Sequence, residues 1–341
     1  MLQGLARKLD IKTDLRWMRI FVIICFVVYA SNSVFGQKPI ERIAFGSCGH
    51  QIGEQFIWNS VIAMNPQLWI WLGDNIYADT EDMEVLRRKY QQLGDNYNYQ
   101  LLKEKCPIIA TWDDHDYGVN DGGKEYPKRA ESQKVFLEFF EEPSGSLRWN
   151  QEGIYTTYEY GVEDNRVKVI LLDQRYHRDK PDTDGDVLGE AQWFWLEEQF
   201  RNSTAKVVLV GSSFQFVSDQ HPFETWGHFP SARERMLKLI KDTGVKGVIF
   251  ISGDRHFAEI SKLKREDLSY PIHDYMCSGL THANNVMIEK NPHRMRGKTY
   301  YHRNFGMILF NWEKQTVTLQ NRKVNQKISF ELEIPFSELG W

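Results

Sequence analysis

Five consecutive apolar residues, Leu68-Trp69-Ile70-Trp71-Leu72, stop abruptly at Gly73-Asp74-Asn75-Ile76-Tyr77. The run reads as a buried strand. A carboxylate and a phenol then sit on the loop at its C-terminal end. α/β proteins put their chemistry there, because side chains converge outside the sheet. An Asp in that position can bridge two cations, and the Tyr three residues on can reach round the loop to one of them. Few uses other than a metal centre need that pair.

The same grammar recurs along the chain. Glu41 to Phe45 reads as a strand ending at Gly46-Ser47-Cys48. Ile108 to Thr111 ends in Trp112-Asp113-Asp114-His115-Asp116, and Val167 to Leu172 in Asp173-Gln174-Arg175. Val248 to Ile251 ends in Ser252-Gly253-Asp254-Arg255-His256, and Val207 to Val210 forms a further strand. Segments 55–64, 128–140, 190–200 and 233–241 have helical character. From Asn304 the chain alternates apolar and polar residues, with turns near residues 313–315 and 325–326, and is strand-rich. The polar stretches 113–128 and 175–189 read as long loops of the kind that carry function. No repeat, low-complexity tract or linker interrupts the pattern. One layered α/β domain is the economical reading.

Each cluster alone has a bland alternative: a small buried Cys48, a solvated acidic turn at residues 113–116, a cap at Asp254. Their coincidence argues otherwise. Buried strands that repeatedly end in Asp, His or Cys need something cationic to offset desolvation.

The 341 residues suffice for one large or two modest domains, and a net charge of -4 gives no hint of nucleic-acid binding. The four cysteines, Cys25, Cys48, Cys106 and Cys277, form no CxxC pair and are not a disulfide framework. At the N-terminus, Arg16 and Arg19 precede the apolar run 20–30, followed by small and polar residues to Gln37. The run is short for a bilayer span, so residues 1–36 are expected to be a signal peptide, cleaved after Gly36. Translation starting at Met18 is an open alternative, as is an uncleaved N-terminal anchor. Both fates export residues 37–341, to the periplasm or outside the cell, where calcium is abundant. No stable membrane span is expected after cleavage.

The ordered blocks Gly46-Ser47-Cys48, Gly73 to Tyr77, Trp112 to Asp116, Leu172 to Tyr176 and Gly253 to Phe257 resemble the PhoD-like alkaline phosphatases. That family lies within the calcineurin-like metallophosphatase superfamily. The resemblance extends over roughly residues 40 to 335, with lesser matches at Leu188-Gly189, Gln192-Trp193, Trp226 to Arg233 and Asn304-Phe305-Gly306. It implies a metallophosphatase-like two-sheet β sandwich flanked by helices, and an exported metal-dependent phosphoric ester hydrolase.

The chain departs from the superfamily's dinuclear pattern in three places. Cys48 stands for Asp-x-His, Asp114 for the usual Asn, and Asp254 for the first His of the last block. By ligand softness the two halves then want different metals. Cys48, Tyr77 and His256 with Asp74 suit Fe(III), which thiolate and phenolate stabilise. Asp114 and Asp254, with Asp74 bridging, offer only oxygen, which suits Ca²⁺ and is poor for zinc. The resemblance likewise implies iron with calcium. Asp113 is an equal candidate for the calcium, and Asp116 a candidate support behind the ligands.

A hydroxide or oxide held by the cations is the expected nucleophile. His115 matches the position that aids the transition state or leaving group, and Arg175 and Arg255 are candidates to clamp phosphate oxygens. The expected substrate is a phosphate-ester small molecule or a phosphodiester polymer or lipid. Two alternatives remain open: a purple-acid-type Fe/Zn phosphatase, and a non-catalytic exported protein using its metals structurally.

Other features carry less. The acidic run 182–186 lacks the EF-hand pattern, and no nucleophile elbow surrounds Ser212-Ser213. Gln215 is a pocket candidate. His221, His228, His273, His282 and His302 have no ligand spacing and are expected in substrate-facing loops or at the surface. Trp193 and Trp195 are expected in packing.

Overall fold

The computed structural model describes residues 39–53, 55–284 and 290–341. The signal segment expected over residues 1–36 lies outside the described residues. Among the described residues no helix is long and apolar enough to cross a membrane.

The strands are β1 (Arg42–Gly46), β2 (Leu68–Leu72), β3 (Ile108–Thr111), β4 (Thr156–Tyr160), β5 (Val167–Leu171), β6 (Val207–Ser212) and β7 (Val248–Ser252). They continue as β8 (Ala258–Leu263), β9 (Ile272–Cys277), β10 (Arg294–Tyr300), β11 (Asn304–Asn311), β12 (Thr316–Lys323) and β13 (Ile328–Pro335). One sheet has the order β13-β12-β11-β1-β2-β3 and the other β10-β8-β9-β7-β6-β5-β4. The first is parallel at one end, through β1, β2 and the edge strand β3, and the second in the middle, through β5, β6, β7 and β9. The remaining pairings are antiparallel.

Alternation along the strands builds three cores. In β2, Leu68, Ile70 and Leu72 join Val169, Leu209, Ile251 and Tyr275 of the other sheet in an inner layer. Trp69 and Trp71 point the opposite way, against Trp58, Leu86, Tyr90 and Tyr99 of helices Ile57–Ala63, Met83–Gly94 and Tyr97–Lys105. On the far side Ile170, Val208 and Phe250 pack on helices Glu190–Arg201 and Pro230–Thr243. A strand covered on both faces has no solvent side to mark with polar residues, so β2 reads as an unbroken apolar run. The two-sheet sandwich flanked by helices is the observed architecture.

The strand-end loops of both parallel regions open at the same edge, because parallel strands all finish there. The helices Met83–Gly94 and Tyr97–Lys105 and strands β4, β8, β9 and β10 add to the elements expected from sequence. β9 reads poorly as a strand because Asp274 interrupts its apolar character. The carboxylate is buried and satisfied, accepting from Ser252 Oγ at 2.7 Å and from the Phe216 and Val217 N–H groups at 2.8 and 3.0 Å.

Candidate metal centre

Sharp turns aim the loops inward. Cys48, Asp74, Asp254 and His256 all have left-handed backbone, with φ of 61, 50, 74 and 59°. Non-glycine residues rarely adopt that conformation, and it persists where the surroundings impose it. Gly73 precedes Asp74 for a related reason: a Cβ there would lie 2.4 Å from the Asp113 Cβ. The glycine lets the β2 and β3 loops touch, which brings Asp74 beside Asp113.

Cys48, Asp74 and His256 place one donor atom each within 4.8 Å of one another. Cys48 Sγ lies 3.5 Å from Asp74 Oδ2. The Tyr77 hydroxyl lies 3.3 Å from that same oxygen and 3.1 Å from His256 Nε2. A thiol, a phenol, an imidazole and a carboxylate thus converge from three loops.

A second set shares Asp74. Asp74, Asp113 and Asp254 also bring donor oxygens within 4.8 Å. One oxygen of each, Asp74 Oδ1, Asp113 Oδ2 and Asp254 Oδ2, is buried without a hydrogen-bond partner. Three buried carboxylate oxygens without hydrogen-bond partners, only Asp254 Oδ2 having a cation, Arg255 Nη1, at 3.6 Å, are costly unless a metal ion lies among them. An all-oxygen set fits a hard cation such as Ca²⁺. Of the two adjacent acids left open by sequence, Asp113 joins this set. Asp114 groups with Asp74 and His115, and separately with Asp121 and Glu224, while its Oδ2 accepts the Asp121 N–H at 2.7 Å.

Asp116 stands behind the ligands. It accepts from the Asp113 and Asp74 N–H groups at 2.8 and 3.2 Å, the Asn75 amide at 2.7 Å and the Tyr90 hydroxyl at 2.9 Å. Burial still pushes its carboxyl up to about 7. Arg175 is also behind the site. It is fully buried, with Nε donating to Asp113 Oδ1 at 2.5 Å and Nη1 and Nη2 donating to Glu224 at 3.0 and 2.5 Å. Its Nη2 also lies 3.7 Å from Asp114 Oδ1, so the guanidinium is surrounded by acids.

The electrostatics follow from crowding. Burial raises the Asp74 carboxyl, and Asp114, Asp113 and Asp116 raise it further. Burial raises Asp113 against the pull of Arg175, and brings Asp254 up to about 7 against Arg255. Burial and the Asp74 charge likewise raise Cys48 and Tyr77. Burial pushes His256 down to about 3, with His282 and Arg255 adding to the effect, so its imidazole is neutral. A bound cation inverts this logic for every acid in the cluster.

His115 sits at the rim, its Nδ1 2.8 Å from Asp79 Oδ1 and its ring 4.3 Å from that of Tyr77. Burial disfavours its charge, but the Asp79 hydrogen bond and the Asp114 charge prevail and push it up to about 9. Arg255 lies with its guanidinium carbon 3.8 Å from the centre of the Phe223 ring. Arg255 and Phe223 line a groove of about 250 Å³ whose wall includes Asp254, Asp121 and Glu224.

Sequence reasoning missed Asp79, Glu224 and His282 as members of the cluster. His282 Nε2 is 3.2 Å from both the Tyr77 hydroxyl and His256 Nε2. It follows β9, and recognising that strand would have exposed it as a strand-end residue like the others. Asp173 is structural, accepting the Ile154, Arg175 and Tyr176 N–H groups at 2.8, 2.9 and 2.9 Å. Gln215 is buried against Glu259, and Trp193 packs in the outer core of the second sheet. Among the described residues Cys48, Cys106 and Cys277 are free.

Comparison with known proteins identifies the family and the fold. The PhoD-like phosphatase family profile matches residues 43–304. Alkaline phosphatase D of Bacillus subtilis (strain 168) is 24% identical over 279 residues, covering 66% of this chain and 47% of the relative. The chain thus spans about half the length of the curated relative it matches. A solved structure of PhoD superposes with a TM-score of 0.70 at 19% identity, covering 83% of this chain and 66% of the other. A dimetal phosphatase from Danio rerio gives 0.53 at 12% identity, covering 88% of this chain and all of its own. These two likenesses concern the fold.

Proposed function

The chain belongs to the PhoD-like phosphatase family, and from that premise we propose that it is an exported hydrolase of phosphoric esters using iron(III) beside calcium. The observation that carries the reading is Asp74, shared between a thiol–phenol–imidazole set and an all-carboxylate set. Iron(III) belongs with Cys48, Tyr77, His256 and Asp74, and calcium with Asp74, Asp113 and Asp254, Asp114 being adjacent. When bound, the cations supply an activated water-derived nucleophile and neutralise charge on the phosphoryl oxygens.

The protein's own groups do the rest. Asp79 fixes Nδ1 of His115 and leaves Nε2 to hand a proton to the leaving alcohol oxygen. Arg255, braced on Phe223, offers its guanidinium to a phosphate oxygen at the mouth of the groove. Arg175 neutralises and orients Asp113 from behind. The groove beside Asp254 has room for an esterifying group, which favours phosphodiesters alongside monoesters. The apolar N-terminal run, with arginines before it and small residues after, supports export of residues 37–341 after cleavage at Gly36.

The test is elemental analysis and a visible spectrum of residues 37–341 purified without chelator, with turnover on p-nitrophenyl phosphate and its bis ester. Iron and calcium together, a thiolate or tyrosinate charge-transfer band and ester hydrolysis are expected. Folded protein that takes up only zinc, or no metal, would sink the assignment.

A further inference from the structure

We propose that His282 is an additional metal donor on the thiolate–phenolate side of the centre; this rests on the iron reading above. Three atoms with lone pairs form a near-equilateral triangle. Tyr77 Oη to His256 Nε2 is 3.1 Å, Tyr77 Oη to His282 Nε2 is 3.2 Å, and the two Nε2 atoms are 3.2 Å apart. Donors bonded at about 2.1 Å to one ion, at near right angles, sit about 3 Å apart. The Tyr77 hydroxyl also lies 3.3 Å from Asp74 Oδ2.

The tautomer of His282 supports the same role. Thr281 Oγ donates its proton to the Cys48 carbonyl at 3.2 Å, an acceptor with nothing to give back. It accepts the His50 N–H at 2.8 Å, and its remaining lone pair faces His282 Nδ1 at 3.2 Å. With the hydroxyl proton on the Cys48 carbonyl, Nδ1 carries the ring proton and Nε2 turns a lone pair toward Tyr77 and His256. Metal-binding histidines are commonly fixed in this way, by a hydrogen bond from the ring nitrogen that does not touch the ion.

The backbone anchors the residue as well. The Thr281 N–H reaches the Cys48 carbonyl at 3.4 Å, and the Asn284 N–H reaches the His256 carbonyl at 2.8 Å. The loop after β9 is thus fastened on either side of His282 to the residues that hold the iron. The rings bracket it too, with His256 at 4.2 Å and Tyr77 at 5.2 Å between centres.

The experiment counts imidazoles on iron. Purified residues 37–341 would be examined by pulsed electron paramagnetic resonance at the Fe(III) signal, with iron content measured after dialysis against chelator. Two bound imidazole nitrogens are expected in the wild type and one in His282→Ala, with iron retention falling roughly tenfold or more. His282→Asn, which keeps a polar atom toward Thr281, serves if the alanine variant does not fold. One imidazole in both proteins, with equal iron retention, overturns the proposal while leaving the iron reading intact. A wild type without iron overturns the underlying reading directly, and this proposal with it.

Discussion

The two sides of Asp74 are built from the same kind of strand-end loop yet offer a cation opposite chemistry. One side presents sulfur, phenol and imidazole; the other presents carboxylate oxygens with unpaired lone pairs. The difference lies in a few side chains, because the sandwich supplies the same converging edge to both. What distinguishes the halves further is support. The carboxylate side is braced from behind by Arg175, which itself rests on Glu224. The thiolate side is braced by the β9 loop through Thr281. A transition-metal ion with directional bonds needs its donors aimed, whereas a calcium-like ion among acids needs their excess charge balanced.

The sharpest break is to remove what the sides share. Asp74→Asn is expected to lose both metals and to lower ester turnover by about 10³-fold or more; metal content read beside turnover checks it. A pair of variants tests whether the sides are separable. Cys48→Ser should forfeit iron and the visible band while calcium stays, and Asp254→Asn should do the reverse, each with roughly 10²-fold loss of turnover. Parallel loss of both metals in both variants would show one indivisible centre.

His115 groups with Asp74 and Asp114 but is in neither the thiol–phenol–imidazole set nor the all-carboxylate set. Replacing it with Ala should spare both metals and slow hydrolysis of poor leaving groups roughly 10²-fold, with a smaller effect on nitrophenyl esters. A uniform loss across leaving groups would remove proton transfer from its role. The smallest effect concerns the scaffold behind the acids. Tyr90→Phe deletes the hydroxyl that donates to Asp116 and is expected to cost about 1 kcal/mol of stability, read by denaturant unfolding, with metal content unchanged.

Most of the fold was legible because β1, β2, β3, β5 and β7 are buried on both faces and announce themselves as apolar runs. The helix Met83–Gly94 carried a readable signal, an Asp82 cap and buried Leu86, Tyr90 and Leu93, in an otherwise polar segment. β9 hid itself through Asp274, and with it went His282. Glu224 lies on an irregular loop, and nothing local ties it to Arg175, its partner 49 residues away.

The sequence by itself determined the strand pattern, the donor types and their order along the chain, because these follow from local periodicity and side-chain chemistry. Only the tertiary structure decided how the adjacent pair divides. Asp113 joins Asp74 and Asp254 because Gly73 admits it and Arg175 holds it, while Asp114 begins the short helix Asp114–Tyr117 and groups with Asp74 and His115 as well as with Asp121 and Glu224. It also decided that Arg175 lies behind the acids and that His282 meets Tyr77. Those outcomes depend on contacts between distant segments, and residues next to each other in a chain leave a strand in different directions, so no local pattern encodes them.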